Sequence, residues 1–125
     1  LSMHQPWASL LVLGIKQVEG RSWQTRYRGR LWIASARREP TPFEIDEVEQ
    51  QYCRVYGLSR DKIPFPKEYP TTALLGCVDM VNCLTNEEYQ KKFIESGLST
   101  ENNGSAHCFI CQNPRRLILP GQISG

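Results

Sequence analysis

The 125-residue sequence has no apolar run long enough to span a membrane. Its longest apolar run, residues 7–12, falls far short of the roughly 20 residues that cross a bilayer. The sequence also lacks a basic segment followed by an apolar stretch, which would mark a secretory signal peptide, and it shows no internal repeat. With 40% hydrophobic and 22% charged residues, its composition is that of one globular domain. We therefore expect a single domain, residues 1–125, with no membrane partner.

The cysteines do not favour a disulfide framework, because their number, five, is odd and no signal peptide is present. Cys108 and Cys111 have the spacing of a zinc or redox pair, but no second pair and no suitably spaced histidines accompany them. The surrounding sequence is typical of a strand, on which residues three apart point to opposite faces. We therefore expect buried thiols, and neither a metal nor a cofactor.

Positive charge is concentrated at the start of the chain. Residues 1–38 contain seven Lys or Arg and one acid, a net charge of +6, whereas the remainder has a net charge of −4. Six of these seven cations are arginines, and Trp23, Tyr27 and Trp32 lie among them. This pattern indicates a surface that meets a polyanion, although a solvated arginine-rich face without a partner would show the same pattern.

Local patterns predict both strands and helices. Alternation predicts six short strands, at residues 1–3, 17–23, 31–36, 73–83, 107–112 and 115–119, with a turn at Asn113 and Pro114. A short helix is predicted with Pro6 at its first helical position and Gly14 as its stop. Capping-box patterns predict two more helices, one at residues 42–56 that stops at Gly57 and one from residue 85 to about residue 93.

The connections and the strand count suggest how these elements assemble. Residues 59–72 carry three prolines and predict a long loop, and residues 97–106 form a polar connection. Gly76 interrupts an apolar strand, which indicates a bend or a bulge. Because five or six short strands must avoid exposed edges, we expect an α+β fold: a small mixed β-barrel with helices at its rim.

Residues 2–23 hold the candidate binding site. The predicted helix start offers the backbone amides of Trp7 and Ala8 as an anion seat. The returning strand brings Lys16 and Arg21 near the same cleft, with Glu19 placed to orient them. The three tryptophans, Trp7, Trp23 and Trp32, are candidate stacking faces for a base. The alternative is that Glu19 and Arg21 form only an ion pair on a strand, with Trp7 and Trp32 in the core.

The same residues resemble a known family. Ser2, Gln5, Pro6 and Ala8, followed by Gly14, Lys16, Glu19 and Arg21, resemble the signature of the ASCH domain family. Residues 18–23, 28–34 and 75–79 extend the likeness to the ASCH domain of a transcription coactivator. The resemblance covers essentially the whole chain and implies a PUA-like β-barrel. It also implies a domain excised from a longer chain, since the sequence starts at Leu1, and a tail that stops before the family's final segment.

The resemblance implies that the domain binds nucleic acid in a cleft between barrel and helices. It places Lys16, Glu19 and Arg21 in the cleft, with four residues at its rim: Ser2, His4, Gln5 and Trp7. We extend the surface to Trp23, Arg26, Arg28, Arg37 and Arg38, because phosphate neutralisation by Lys and Arg dominates non-specific affinity. We expect DNA rather than RNA and little sequence dependence. We also expect a monomer in the nucleus, with the cytoplasm as a second location, and coactivator-complex partners for the rest of the parent chain.

Two other function classes remain open. Some bacterial ASCH-type proteins are amidohydrolases that act on acetylated cytidine with a Lys, a Thr and a Glu. Here the position three after Lys16 is Glu19 rather than Thr, and a carboxylate beside a lysine favours the ammonium form, which is not nucleophilic. We therefore expect no enzyme activity. The third class is a protein-interaction module that docks through the acidic helix at residues 44–49.

Overall fold

The computed structural model describes residues 1–96 and 104–122. The described residues form five strands and three helices, and one short 3-10 turn, Arg60–Lys62, lies in the proline-rich loop. The elements are β1 (Ser2–Met3), α1 (Trp7–Val12), β2 (Val18–Arg21), β3 (Gly29–Ser35), α2 (Pro42–Tyr56), β4 (Ala73–Thr85), α3 (Asn86–Ser96) and β5 (His107–Gln122).

The five strands form one mixed sheet in the order β1-β3-β4-β5-β2. β1 pairs with β3 in parallel, and the other three pairs are antiparallel. The sheet curls into a half-barrel with helices against it, which confirms the predicted α+β class. Its two edge strands, β1 and β2, are distant in the strand order, and the curl brings them to the same side of the molecule.

Helix α1 lies between two apolar clusters. Ala8, Leu11 and Val12 face the half-barrel and pack with residues of β3, β4 and β5 such as Ile33 and Val78. Leu10 faces the other way and packs with α2 and with the proline-rich loop. A six-residue helix is too short to be stable alone, so burial on both faces holds it. The turn that follows α1 is therefore fixed relative to the sheet.

The helix starts predicted from capping patterns are confirmed, whereas α3 continues to Ser96 instead of ending near residue 93. The Thr41 hydroxyl accepts from the Glu44 backbone amide at 3.1 Å, and the Glu44 carboxylate accepts from the Thr41 amide at 3.1 Å. Thr85 and Glu88 repeat this exchange at the start of α3. Gly57 ends α2 with φ of +64°, a left-handed conformation that favours glycine.

The last two predicted strands are in fact one. The predicted turn at Asn113 and Pro114 lies inside β5, so residues 107–112 and 115–119 belong to a single strand. Asn113 has φ of +50°, and the register against β4 shifts between Cys77 and Asp79. The two residues are therefore a bulge that bends the strand instead of reversing it. The irregularity predicted at Gly76 is confirmed, because the registers of β4 with both neighbours shift there.

Smaller corrections concern the first residues. Pro6 is the N-cap of α1, not its first helical residue, and its bond with Gln5 is cis. The strand predicted at residues 17–23 is shorter, so Trp23 lies beyond the end of β2. Most of the polar connection at residues 97–106, together with the last part of the tail, residues 123–125, lies outside the described residues.

All five cysteines are free thiols; Cys77, Cys108 and Cys111 are buried, and the other two are partly buried. Within residues 1–96 and 104–122, no three His, Cys, Asp or Glu side chains are grouped in a way that could hold a metal ion. No helix in this part of the protein combines the length and the apolar character needed to span a membrane.

Candidate functional site

A cleft of about 620 Å³ opens where the two edge strands of the half-barrel face each other. β1 supplies one wall, β2 and the residues after it supply the opposite wall, and α2 contributes from the side. The cleft is lined by Ser2, Met3, His4, Trp7, Lys16, Glu19, Gly20, Arg21, Ser22, Trp23, Gln51, Tyr52 and Ser105.

Lys16 is placed by the end of α1. Gly14 adopts a left-handed φ of +77°, and the Leu10 carbonyl then accepts from the amides of both Ile15 and Lys16, at 3.1 and 3.0 Å. This tight reversal turns the Lys16 side chain into the interior, where the residue is 5% exposed. Lys16 also lines a second cavity of about 230 Å³, so it lies between that cavity and the cleft.

Glu19 joins the two cations of the cleft. Its Oε1 lies 3.5 Å from the Lys16 Nζ, and its Oε2 accepts from the Arg21 Nε and Nη2 at 3.1 and 2.9 Å. Glu19 and Arg21 lie two apart on β2, so their side chains share one face of the strand. The charges of the three side chains sum to +1, and the carboxylate holds both cations in fixed positions.

Arg21 spans the opening of the half-barrel. Its Nη2 donates to the Ser2 carbonyl of β1 at 3.2 Å, which links the two edge strands. Its guanidinium also lies over the Trp23 ring, with the central carbon 5.3 Å from the ring centroid. The Trp23 ring meets the Phe109 ring edge-on, with centroids 6.1 Å apart and an interplanar angle of 79°. These two contacts orient an indole that remains 47% exposed.

The structure brings seven of the predicted site residues together in the cleft. These are Ser2, His4, Trp7, Lys16, Glu19, Arg21 and Trp23. Gln5 is not at the rim, because it is fully buried: its amide donates to the Ser9 hydroxyl at 2.7 Å and to the Pro70 carbonyl at 2.8 Å. It holds α1 against the proline-rich loop, so its contribution to the site is indirect.

Of the two amides predicted as an anion seat at the start of α1, those of Trp7 and Ala8, the Ala8 amide is already used inside the protein. The Ala8 amide donates to the His4 carbonyl at 3.0 Å. The next amide, that of Ser9, donates to the Gln5 side chain at 3.0 Å. Both donors are therefore used inside the protein and are not directed at a ligand.

The four remaining predicted arginines lie outside the cleft lining. Arg26 and Arg37 are exposed and form no ion pair with any residue in the described ranges. Arg28 is exposed and donates to the carbonyls of Thr25 and Tyr27. Arg38 makes two hydrogen bonds of 2.9 Å to the carboxylate of Glu44, so its charge is compensated locally.

Six residues that line the cleft were not predicted from the sequence: Met3, Gly20, Ser22, Gln51, Tyr52 and Ser105. Gly20 and Ser22 lie within the predicted segment and were passed over because neither has a charged or aromatic side chain. Tyr52 belongs to the apolar stripe of α2, and the sequence gives no sign that one end of this stripe reaches the cleft. Only the packing of α2 against α1 brings Gln51 and Tyr52 there.

The comparisons with known proteins cover this whole arrangement. The sequence model of the ASCH domain family matches residues 1–121. The chain is 47% identical over 125 residues to activating signal cointegrator 1 of Mus musculus and 46% identical to activating signal cointegrator 1 of Homo sapiens. Both alignments cover all of this chain but 20% of each relative, so the chain spans about a fifth of the length of these curated relatives.

Proposed function

Because the chain belongs to the ASCH domain family, we propose that its cleft and the surrounding arginines bind nucleic acid. The partner we propose is DNA in preference to RNA, bound with little dependence on sequence. The observation that carries the proposal is the exposed Trp23 ring on the cleft that holds Lys16 and Arg21, with the exposed arginines Arg26 and Arg37 outside it. Proteins that bind nucleic acid with little sequence preference usually combine cations that contact phosphates with aromatic rings that stack on bases.

Exposed cations extend the binding surface on both sides of the cleft. Arg26 follows Trp23 by three residues, so its Cα lies within about 11 Å of the Trp23 Cα. On the other side, the Ala36 amide donates to the Met3 carbonyl at 2.8 Å, which places the neighbouring Arg37 near the β1 wall. A strand that crosses the cleft would therefore meet uncompensated positive charge on both sides.

Helix α1 is not suited to reading bases in the major groove. A recognition helix must present several exposed side chains along one face, whereas α1 has six residues and all but the first are buried. Phosphate contacts fix position but carry no sequence information. Binding should therefore depend strongly on salt and weakly on sequence.

The relatives' name suggests the setting in which this domain acts. They are named activating signal cointegrator 1, and we propose that this domain likewise belongs to a transcription coactivator. It would act as a monomer in the nucleus, with the cytoplasm as a second location. Other proteins of the coactivator complex would bind the parts of the parent protein that lie outside this domain.

Charge reversal of the exposed arginines tests the proposal. Arg26→Glu and Arg37→Glu should weaken binding to unrelated DNA sequences about equally. Each variant should also make the plot of log binding constant against log salt concentration less steep, by about 0.9 for duplex DNA or about 0.7 for single strands. This is the change in slope expected when one phosphate contact is lost. The measurement is a fluorescence anisotropy titration of labelled DNA over a range of salt concentrations.

Arg116→Glu is the matched control, because Arg116 is an exposed arginine on β5 that lines a different cavity. It changes the net charge by the same amount and should leave the slope unchanged. The proposal fails if the wild-type protein binds no DNA or RNA, or if all three variants reduce binding equally.

We also propose that the domain is not an enzyme. The Lys16 ammonium faces the Glu19 carboxylate, and the same carboxylate accepts two hydrogen bonds from Arg21. Both groups are therefore engaged in ion pairs within the protein, and neither is directed at a substrate as a nucleophile or a base would be. Incubation with acetylated cytidine at high protein concentration should release no acetate. Release that Lys16→Ala abolishes would overturn this conclusion.

A further inference from the structure

Trp23 is the most accessible aromatic ring of the cleft, and contacts with two neighbouring side chains orient it. Its exposed fraction is 47%, although Arg21 lies over the ring and Phe109 meets its edge. An indole that served only the core would be largely covered. A half-exposed ring that lines a cavity and is already oriented by two contacts offers a stacking face on its uncovered part, because less conformational freedom is lost when a flat ligand packs on it.

The floor of the cleft is poorly suited to a phosphate. Lys16 and Arg21 share the Glu19 carboxylate, so the charged residues that line the cleft carry a net charge of only +1. A phosphate placed there would meet the Glu19 carboxylate as well as the cations. An uncharged ligand that has both donors and acceptors avoids this repulsion and can use both kinds of group.

Gly20 adds backbone groups that suit such a ligand. The Cys111 amide donates to the Gln17 carbonyl at 3.0 Å, so Gln17 and Cys111 form a hydrogen-bonded pair. β2 continues from this pair in the same antiparallel register, which places Gly20 opposite Cys108. Hydrogen-bonded and non-hydrogen-bonded pairs alternate along such a ladder. Gly20 therefore falls at a non-hydrogen-bonded position, and its N–H and C=O point away from β5 to the edge that lines the cleft.

The size of the cleft sets the kind of ligand. A volume of about 620 Å³ lies within the range of roughly 300–1,000 Å³ found for small-molecule pockets. It therefore suits one nucleotide, whereas the bases of a duplex are stacked and paired and cannot enter it. We infer that the cleft takes one unstacked base of a single strand, packed on Trp23 with its edge toward Gly20, while the phosphates lie on the exposed arginines outside.

This inference rests on the proposed nucleic-acid binding and makes it more specific, because it names unpaired nucleotides as the preferred ligand. The probes that test it are a short labelled oligothymidylate, the same strand with every base removed, and a duplex of equal length. The abasic strand keeps the phosphates, so it separates base stacking from charge.

Wild-type protein should bind the oligothymidylate roughly tenfold or more tightly than the abasic strand, since stacking of one base has an effect of this size. Trp23→Ala should remove that difference and leave the salt slope unchanged, because no phosphate contact is lost. Trp23→Phe should restore part of it. Trp32→Ala is the matched control, since Trp32 is 45% exposed and lies outside the cleft lining.

Each outcome bears on a different claim. If wild-type protein binds the abasic strand as tightly as the intact one, with the usual salt dependence, the base-binding inference is wrong and the proposed function stands. The base-binding inference is also wrong if Trp32→Ala and Trp23→Ala have equal effects, or if the duplex is preferred to the single strand. If none of the three probes binds, the proposed function fails as well.

Discussion

Replacing Glu19 by glutamine should destabilise the fold, because Glu19 is the shared partner of two cations in a largely buried site. Its side chain is 12% exposed, and the Lys16 and Arg21 side chains are 6% and 20% exposed. Glutamine keeps the shape and one acceptor oxygen. It removes the negative charge and leaves two positive charges close together with less water around them than at the surface.

The size of this effect follows from the degree of burial. Removing one partner of a fully buried ion pair costs about 3–5 kcal/mol, and the partial exposure of Arg21 lowers this to about 2–3 kcal/mol. For a domain of 125 residues, the entropy of unfolding converts 1 kcal/mol into a shift of about 4 °C. We therefore expect Glu19→Gln to lower Tm by roughly 8–12 °C.

Thermal unfolding followed by circular dichroism measures the effect. Glu47→Gln is the control, because Glu47 is exposed on α2 and enters no ion pair among residues 1–96 and 104–122. We expect this control to change the free energy of unfolding by no more than about 0.5 kcal/mol. Lys16→Met combined with Glu19→Gln should recover part of the loss, since one of the two neighbouring positive charges is then gone. A Tm for Glu19→Gln that equals that of Glu47→Gln would refute the reasoning.

Two further predictions concern stability. Gly76→Ala should lower the free energy of unfolding by about 3 kcal/mol or more, because a Cβ there would lie 2.0 Å from the Arg115 carbonyl oxygen. Gly57→Ala should lower it by only about 1 kcal/mol, because a Cβ there would meet no atom within 4 Å and only the left-handed φ is unfavourable. Equal melting temperatures for the two variants would contradict this. Hydrogen bonds from Arg38 hold the pKa of the Glu44 carboxyl down to about 2 from 4.5. The folded pKa is the lower one, so this contribution is complete above about pH 5 and is lost as pH falls toward 2. Glu44→Gln should therefore flatten the decline of stability between pH 5 and pH 2 in urea unfolding; an unchanged decline, or a Glu44 midpoint near 4.5 by NMR, would count against it.

Much of the local structure could be predicted from the sequence, because it depends on neighbouring residues. The Thr41 and Thr85 capping boxes need only a hydroxyl and a carboxylate three residues apart, and both form. Gly14 and Gly57 have positive φ at helix ends, as glycines there usually do. The turn predicted at Asn113 and Pro114 failed because the same residue types also form a bulge, and only pairing with β4 decides between the two.

The candidate site was predicted in part. Lys16, Glu19 and Arg21 lie close together in the chain, so their contact through one carboxylate is a local event that spacing on a strand could indicate. Gln5 lies in the same segment, yet it binds the Pro70 carbonyl, which is 65 residues away in the chain. No local pattern contains that partner, and the sequence therefore placed Gln5 at the rim of the cleft.

The amino-acid sequence by itself determined which residues carry charge and stacking capacity, where helices begin and end, and how Glu19 comes to bind Arg21. Those features depend on chemistry within a few residues, and a short peptide segment already contains it. Only the tertiary structure decided that β1 and β2 face each other across an opening and that Arg21 donates across it to the Ser2 carbonyl. It also decided that Gln51 and Tyr52 of α2 line the cleft. These contacts join segments far apart in the chain, and they form because the sheet curls around α1 to bury apolar surface on both sides of it.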